Sequence, residues 1–444
     1  MINKKNTIGR KSKHACITIA LFLLSIHVFA QQWEQKGIAF VINFAEENMD
    51  SLRRDFSDEL DAQLPTEQIQ AIRDDVYAKM GDLETILEPD YVENDDFETY
   101  TFPLIFEHGN LGVKLSISHE GEIVGFYLVP YELPDQYIPP PYMMPDLVEE
   151  IDIPIPGEYR LEGQFVKPRG LGPYPLVILI PGSGPQDMDL SMGNNKPFKD
   201  LALGLAMHGI ATYRFDKRTF TYPDAFQDDY TVYEEIVHDA QRAFELMSNQ
   251  AEVDKSNIYF LGHSFGGMLM PRILGSTPKA KGAVLMAANA RPVEDLILEQ
   301  IEYIYNYEEE NQSNDKHFKE IKQLVENVKK LEEGEEMNRN NLPFGIPASY
   351  WLDLKDYEPA KALRKQRVPV LILQGERDYQ VTTKDYKVWR KSIRKRFREA
   401  HLYPKLNHLF FEGEGPSLPD EYHKQGNVPL YVIMDIADWI KDSK

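Results

Sequence analysis

Residues 258–267 read Ile-Tyr-Phe-Leu-Gly-His-Ser-Phe-Gly-Gly. The apolar, β-prone start predicts a strand, and the Gly-X-Ser-X-Gly pattern with a helix-compatible run at 268–274 predicts a sharp turn from strand to helix. Such a turn is too tight for bulky side chains at Gly262 and Gly266, on either side of the serine. Ser264 is therefore predicted to be a nucleophile at the apex of the turn. The alternative is a glycine-rich turn that merely contains a serine.

Strand-like and helix-like segments alternate from about residue 147 onward. An unbroken apolar run such as 176–180 is typical of a strand that is buried on both faces of a sheet. The predicted strands cover residues 159–166, 176–180, 210–215, 258–261, 282–287, 368–374 and 400–403. Helices are predicted at 198–208 and 232–247, and a last one near 433–440 closes the domain. The alternation predicts an α/β catalytic domain at 147–444 with a mostly parallel, doubly wound sheet.

A highly charged segment interrupts this alternation between about 290 and 350. Apolar residues recur in it at helical spacing, namely Ile321, Leu324, Val328 and Leu331. We therefore predict a helical insertion and interpret it as a lid over the strand ends. The alternative is a solvated helical excursion that has no role in substrate binding.

Residues 31–129 have a different pattern, in which helices precede strands. Residues 38–60 are compatible with helix, and a second predicted helix runs from Thr66 to Gly81. Strands are predicted near 102–106, 113–117 and 123–129. The pattern indicates a small α+β domain with its helices on one face of an antiparallel sheet. We interpret it as a structural or dimerising module, and a homodimer formed through it is one expectation.

Residues 130–146 contain six prolines. Proline excludes both helix interiors and the middle of a sheet, so this segment is predicted to be a semi-rigid linker and the domain boundary.

Residues 1–30 have the features of a cleaved secretory signal peptide. A start that contains five basic residues is followed by an apolar run at 15–30, which ends in Val-Phe-Ala before Gln31. Cleavage removes Cys16, the only cysteine, so disulfides and thiol chemistry are excluded from the mature protein. The expectation is a bacterial periplasmic or secreted protein without membrane insertion after cleavage. An uncleaved amphipathic anchor is the alternative.

The net charge of the 444-residue chain is −22. Nucleic acids and anionic membranes both require a basic surface, so neither is an expected partner. The N-terminal domain shows no metal-ligand spacing and the mature chain would have no thiolate to bind a metal, so neither a metal nor an organic cofactor is expected.

A serine nucleophile needs a base, and the base needs an acid to orient it. On a sheet of this kind the three follow in the order serine, acid, histidine. Asp378 follows the predicted strand at 368–374 and is the expected acid, with Glu376 as its rival. His408 follows the last predicted strand and is the expected base. The other histidines nearby are His401, within that strand, and His423, in a polar loop.

Negative charge that develops on the substrate carbonyl oxygen needs backbone N–H donors. One donor is expected from Phe265, directly after the nucleophile, and the other from the glycine-rich loop that begins at Pro181. Within that loop Ser183 is the expected donor and Gly184 the alternative. A glycine-rich turn without this role is also open.

The chain from about 147 onward resembles the α/β-hydrolases, in particular an esterase-like branch. The matching pieces are Pro-Gly-Ser-Gly-Pro-Gln-Asp at 181–187, Tyr-Arg-Phe-Asp-Lys-Arg at 213–218, Gly-His-Ser-Phe-Gly-Gly at 262–267, Asp378 and His408. The resemblance implies a Ser264–Asp378–His408 triad that hydrolyses small carboxylic esters through an acyl-enzyme. The loop departs from the family's common His-Gly opening, since it begins Pro181-Gly182. The N-terminal domain resembles an uncharacterised domain that precedes exported bacterial hydrolases.

Two other functions are compatible with these motifs: a peptidase or aminoacyl hydrolase on the same fold, and a non-catalytic binding protein. The acyl and alcohol groups of the substrate are not predicted. Aromatic residues in and beside the insertion suggest an aromatic mouth or an aromatic core, namely Tyr303, Tyr305, Tyr307 and Trp351. The cluster at 214–218 is expected to form internal salt bridges rather than to contact substrate.

Overall fold

A computed structural model describes residues 33–87, 89–93, 97–106, 109–131, 137–226, 229–307, 315–334 and 337–443. The chain divides into two compact units, Met1–Gln136 and Tyr137–Lys444. The signal-peptide hypothesis concerns residues outside the described ranges and stays a prediction, as do the export and the homodimer inferred from the sequence. Within those ranges no helix combines the length and apolar character needed to cross a membrane.

The first unit is an α+β fold. Its helices are α1 (Glu34–Ala45), α2 (Met49–Leu52), α3 (Asp58–Gln63) and α4 (Thr66–Met80). Its strands are β1 (Leu83–Ile86), β2 (Asp90–Glu93), β3 (Phe97–Phe106), β4 (Gly109–Ser118) and β5 (Ile123–Pro130). They form an antiparallel sheet in the order β1-β3-β4-β5, with β2 also paired to β3. Phe40 and Phe44 of α1 share one buried core with Phe102 and Leu115 of the sheet, as expected for helices that cover one sheet face.

Residues 38–60, which were compatible with one helix, instead form three short helices and a 3₁₀ turn. The first break lies at Glu47, whose φ of 61° is not helical. The side chain of Asn48 then caps α2 by accepting a hydrogen bond from the N–H of Ser51, and the side chain of Ser57 caps α3 in the same way. Asparagine and serine are favoured at such caps over helix interiors, so a new helix begins after each of them.

The second unit contains an eight-stranded sheet within the described residues. Its strands are β6 (Val148–Asp152), β7 (Gly163–Pro168), β8 (Tyr174–Ile180), β9 (Ala211–Phe215), β10 (Val253–His263), β11 (Gly282–Met286), β12 (Val370–Gly375) and β13 (Arg398–Tyr403). The order is β13-β12-β11-β10-β8-β9-β7-β6. The five strand pairs from β13 to β9 are parallel, and only the β6–β7 and β7–β9 pairs are antiparallel. The predicted mostly parallel sheet is confirmed.

Helices cover both faces of this sheet. They are α5 (Pro197–Met207), α6 (Arg218–Thr221), α7 (His238–Ser248), α8 (Phe265–Met268), α9 (Met270–Ser276), α10 (Val293–Tyr307), α11 (Asp315–Lys330), α12 (Ala348–Leu354), α13 (Pro359–Gln366), α14 (Thr383–Ser392) and α15 (Leu430–Asp442). Leu176 and Ile178 of β8 lie in the core on one face, and Val177 and Leu179 lie in the core on the other. Alternate side chains of a strand point to opposite faces, so the unbroken apolar run at β8 fills both cores.

The charged insertion is helical, as its spacing predicted. Its helices α10, α11 and α12 enclose a small apolar core of their own, formed by Ile297, Val325, Val328, Leu331, Leu342 and Trp351. The acidic residues at 308–310 and 335–336 fall outside the described ranges.

Candidate active site

Ser264 lies between strand β10, which ends at His263, and helix α8, which begins at Phe265. Its backbone has a φ of 52° and a ψ of −121°, a conformation that non-glycine residues rarely adopt. Hydrogen bonds hold it there: its N–H donates to the carbonyl of Met286 at 2.9 Å, and its carbonyl accepts from Gly267 at 3.0 Å. Strand, strained serine and helix form the turn that the sequence predicted.

The two glycines of the motif leave no room for a side chain. A Cβ at Gly262 would lie 2.6 Å from the carbonyl oxygen of Gly266, and a Cβ at Gly266 would lie 2.4 Å from that of Pro181. Both distances are far below van der Waals contact. The turn and the loop after β8 are therefore pressed against each other at the carboxyl ends of β8 and β10.

Asp378 and His408 form a buried pair. Nδ1 of His408 lies 2.8 Å from Oδ2 of Asp378, and both side chains are almost completely shielded from solvent. The N–H groups of Gln380 and Val381 donate to Oδ1 of Asp378, at 2.9 and 2.8 Å. A carboxylate that already accepts these bonds is the acceptor toward His408 as well, so Nδ1 is the donor of this hydrogen bond.

Two residues that we did not select from the sequence hold this pair in place. The side-chain amide of Gln374 donates to Oδ2 of Asp378 at 3.0 Å. The side chain of Asn407 accepts from the N–H groups of Leu409 and Phe411, at 3.1 and 3.0 Å, and closes the loop around His408. Gln374 could have been noticed as a polar residue that ends an apolar strand, and Asn407 as a turn-forming residue beside the expected base.

His263 joins the loop of His408 to the turn that contains Ser264. Its Nε2 lies 2.9 Å from the carbonyl oxygen of His408, and the two imidazole rings have centroids 4.6 Å apart. Because His263 directly precedes Ser264, these contacts bring the loop of His408 to the serine. The role of His263 also went unnoticed in the sequence, because an X position in Gly-X-Ser-X-Gly carries no signal of its own.

Burial, together with the smaller effect of the nearby His408, lowers the pKa of His263 from 6.5 to about 3. The folded protein therefore keeps this ring neutral at pH values where the unfolded chain protonates it. Stability from this source is complete above pH 6.5 and is lost as the pH falls toward 3, with a slope approaching ~1.4 kcal/mol per pH unit.

His263→Gln is expected to reduce this sensitivity to acid, because glutamine does not titrate and its amide can still donate to the carbonyl of His408. The free energy of unfolding should fall less between pH 6.5 and 4.5 in the variant than in the wild type, by roughly 2 kcal/mol. Urea titrations at the two pH values measure it. Equal losses in the two proteins would show that the buried ring does not govern the acid response.

The residues considered as alternatives to Asp378 and His408 were Glu376, His401 and His423. Glu376 is exposed to solvent. His401 of β13 contacts Glu399 at 2.8 Å and Asp435 at 3.4 Å rather than Asp378. The side chain of His423 is outside the described residues.

The expected oxyanion donors also lie at this edge of the sheet. A Cβ at Gly182 would be 3.2 Å from Cβ of Ser264, so the loop after β8 runs directly against Ser264. Phe265 begins α8, and the first N–H groups of a helix have no acceptor within it. The N–H of Ser183 has no acceptor among the described residues. Gly184, the alternative donor, adopts a φ of 76° that a side chain would strain.

A cavity of about 370 Å³ opens beside Ser264. The loop after β8 and the insertion supply most of its walls, which consist of Ser183, Gly184, Pro185, Ser264, Phe265, Asn289, Val293, Leu296, Ile297, Gln300, Phe344, Ile346, Tyr350, Trp351 and Val381. None of these described side chains is charged. Of the aromatic residues that suggested a mouth, Trp351 lines the cavity, whereas Tyr303 stacks on Tyr379 with ring centroids 4.9 Å apart.

The cluster at 214–218 forms internal ion pairs, as expected. Arg214 binds Asp189 at 2.7 Å, and Arg218 binds Asp239 at 2.5 Å. The described residues contain no group of histidine, cysteine and carboxylate side chains that could hold a metal ion.

Comparison with known proteins gives two family matches and a relative along nearly the whole chain. Residues 195–414 match the family described as serine aminopeptidase, S33, and residues 39–126 match DUF3887, a protein of unknown function. Esterase EstD from Thermotoga maritima is 34% identical over 430 residues, which cover 96% of this chain and 98% of EstD.

Two solved structures are also similar. Est1E from Butyrivibrio proteoclasticus has 15% identity and a TM-score of 0.42, and the match covers 66% of this chain and 98% of Est1E. The α/β-hydrolase GrgF from Penicillium sp. sh18 has 15% identity and a TM-score of 0.43, and the match covers 66% of this chain and 99% of GrgF.

Proposed function

The chain belongs to the α/β-hydrolase family of Esterase EstD and is a carboxylic ester hydrolase, and from this premise we propose that it forms an acyl-enzyme on Ser264. His408 is the general base, Asp378 orients it, and the N–H groups of Phe265 and Ser183 bind the oxyanion. One observation carries the proposal: the strained turn at Ser264 is joined through the adjacent His263 to the loop of His408, and His408 is bonded to a buried carboxylate.

The reaction begins when Oγ of Ser264 attacks the ester carbonyl carbon and Nε2 of His408 takes the hydroxyl proton. The carbonyl oxygen becomes an oxyanion, and the two backbone N–H groups stabilise it. When the intermediate collapses, the C–O bond to the alcohol breaks and His408 returns the proton to the departing oxygen. Water, deprotonated by His408, then attacks the acyl-serine, and the acid is released as Ser264 regains its proton.

The walls of the cavity favour an uncharged substrate. They are mainly apolar, and no charged side chain among the described residues lines them. A protonated aminoacyl group would lose its hydration there without gaining a carboxylate partner, which is costly. A volume of about 370 Å³ lies in the range of small-molecule sites. We therefore favour esters with small, uncharged acyl groups over the aminoacyl substrates of a peptidase.

The proposal is tested by comparing p-nitrophenyl acetate, butyrate and octanoate with aminoacyl p-nitroanilides, using purified protein. Ester turnover should exceed that of a Ser264→Ala variant, and aminoacyl anilides should not be cleaved. A larger kcat/KM for the anilides would favour the peptidase. Turnover of neither class above the variant would leave a binding protein as the better interpretation.

A further inference from the structure

Lys217 is a buried cation that the proposed reaction does not use. It follows strand β9 and is 2% exposed. Its ammonium donates to the carbonyl of Gly182 at 2.8 Å and to Oε1 of Glu235 at 2.6 Å. Burial lowers the pKa of Lys217, and the carboxylate of Glu235 opposes that effect. A buried charge is costly unless it is paired. The two contacts supply that pairing, and one of them is made to a loop at the candidate active site.

The carbonyl that Lys217 binds belongs to the same peptide unit as an expected oxyanion donor. Gly182 supplies the C=O of that peptide and Ser183 supplies its N–H. A trans peptide is planar, so its C=O and N–H point in opposite directions. An ammonium that fixes the carbonyl on one side therefore fixes the direction of the N–H on the other. Ser183 and Ser264 line the same cavity, and an N–H that binds the oxyanion has to point into that cavity.

Other contacts already hold this loop in place. The N–H of Lys217 donates to the carbonyl of Gln186 at 3.0 Å, and the N–H of Met188 donates to Oδ1 of Asp216 at 2.8 Å. Both of these bonds lie beyond the 182–183 peptide and involve no atom of the lysine side chain. The distinct contribution of the ammonium is the orientation of one peptide.

Glu235 extends the contacts to the insertion. Its Oε2 accepts a hydrogen bond from the hydroxyl of Tyr350 at 2.7 Å. Tyr350 is part of α12 and lines the cavity, and its ring stacks on Phe265 with centroids 6.2 Å apart. A buried series of contacts thus runs from Gly182 through Lys217 and Glu235 to a helix of the insertion.

We propose that Lys217 is a positioning residue for ester hydrolysis. Held by Glu235 and Tyr350, its ammonium directs the N–H of Ser183 toward the oxyanion and polarises that N–H. The contribution is made mainly when charge develops in the transition state, so it should appear in kcat rather than in KM. The inference rests on the proposed function, because it assigns a role in the same oxyanion site.

Lys217→Met, which keeps the length of the side chain and removes its charge, is expected to lower kcat by about 30-fold or more. The upper limit is the ~10²–10³-fold loss caused by removal of one oxyanion donor. KM should change by less than about threefold, because ground-state binding is not altered. The inhibition constant of phenylboronic acid, which forms a tetrahedral anionic adduct on the serine, should rise in parallel with the loss of kcat.

Arg218→Met is the matched control. It removes a neighbouring buried cation, which binds Asp239 rather than the loop carbonyl. It should lower the melting temperature but leave kcat and boronate inhibition close to wild type. If Lys217→Met does not fold, Lys217→Met/Glu235→Gln removes both charges of the pair, and the same losses are expected of it.

Losses in kcat and boronate affinity no larger than those of Arg218→Met would overturn the proposal, because they would reduce Lys217 to a structural residue. Absence of ester turnover by the wild type would instead overturn the proposed function, and this inference with it.

Discussion

Ser264→Ala is expected to lower kcat for p-nitrophenyl butyrate by roughly 10⁴-fold or more. The reason is that, in the proposed reaction, the hydroxyl of Ser264 supplies the electron pair that forms the acyl-enzyme, and the turn contains no second hydroxyl. The fold should be retained, because the N–H and carbonyl of residue 264, rather than its side chain, make the bonds to Met286 and Gly267. Burst and steady-state kinetics measure the loss, and thermal unfolding checks the fold.

Ser256→Ala provides the control, since this serine is exposed on the same strand and its side chain bonds to its near neighbours Asp254 and Asn257. A fluorophosphonate should label the wild type and the Ser256→Ala protein, but not the Ser264→Ala protein. Ester hydrolysis that survives Ser264→Ala at the wild-type rate would refute Ser264 as the nucleophile.

Asp378→Asn is expected to lower kcat by about 10⁴-fold. Oδ1 of Asp378 accepts from two backbone N–H groups, so the oxygen of the new amide should stay there. Its nitrogen would then take the place of Oδ2 and meet Nδ1 of His408, which lies 2.8 Å from that position. A donor at that position requires Nδ1 to accept, so the proton moves to Nε2 and the base is lost.

Glu376→Gln is the comparison for this prediction, because Glu376 lies two residues earlier in the same loop but is exposed. It should retain nearly the full kcat. The assignment of the acid would be wrong if Glu376→Gln abolished turnover and Asp378→Asn did not. Both variants should melt near the wild-type temperature, which shows that they are folded. Initial rates across a pH series then show whether the base has been lost.

The sequence predicted the fold class because periodicity is a local property. Apolar runs such as 176–180 and the helical spacing at 321–331 indicate which faces of a strand or helix are buried, without knowledge of the elements that pack against them. The helices of the first unit were placed less well near Glu47. There the side chains of Asn48 and Ser57 cap new helices instead of allowing one helix to continue, and hydrophobic periodicity alone does not predict where such caps form.

The position of each expected site residue at the end of a strand could also be inferred along the chain. Ser264, Asp378 and His408 follow β10, β12 and β13 in the order typical of this fold. Nothing local identified the residues that support them. Gln374, Asn407 and His263 matter through partners that the fold supplies.

The sequence by itself determined the strand, turn and helix around Ser264 and the alternation that requires a parallel sheet, since these depend on neighbouring residues and on a repeating period. Only the tertiary structure decided which groups meet. The bond from His263 to His408 spans 145 residues, and the bond from Tyr350 to Glu235 spans 115. Side chains so far apart along the chain leave no pattern in the sequence, because their contact is created by packing of whole elements. The orientation of the Gly182–Ser183 peptide and the uncharged walls of the cavity were visible only after folding for the same reason.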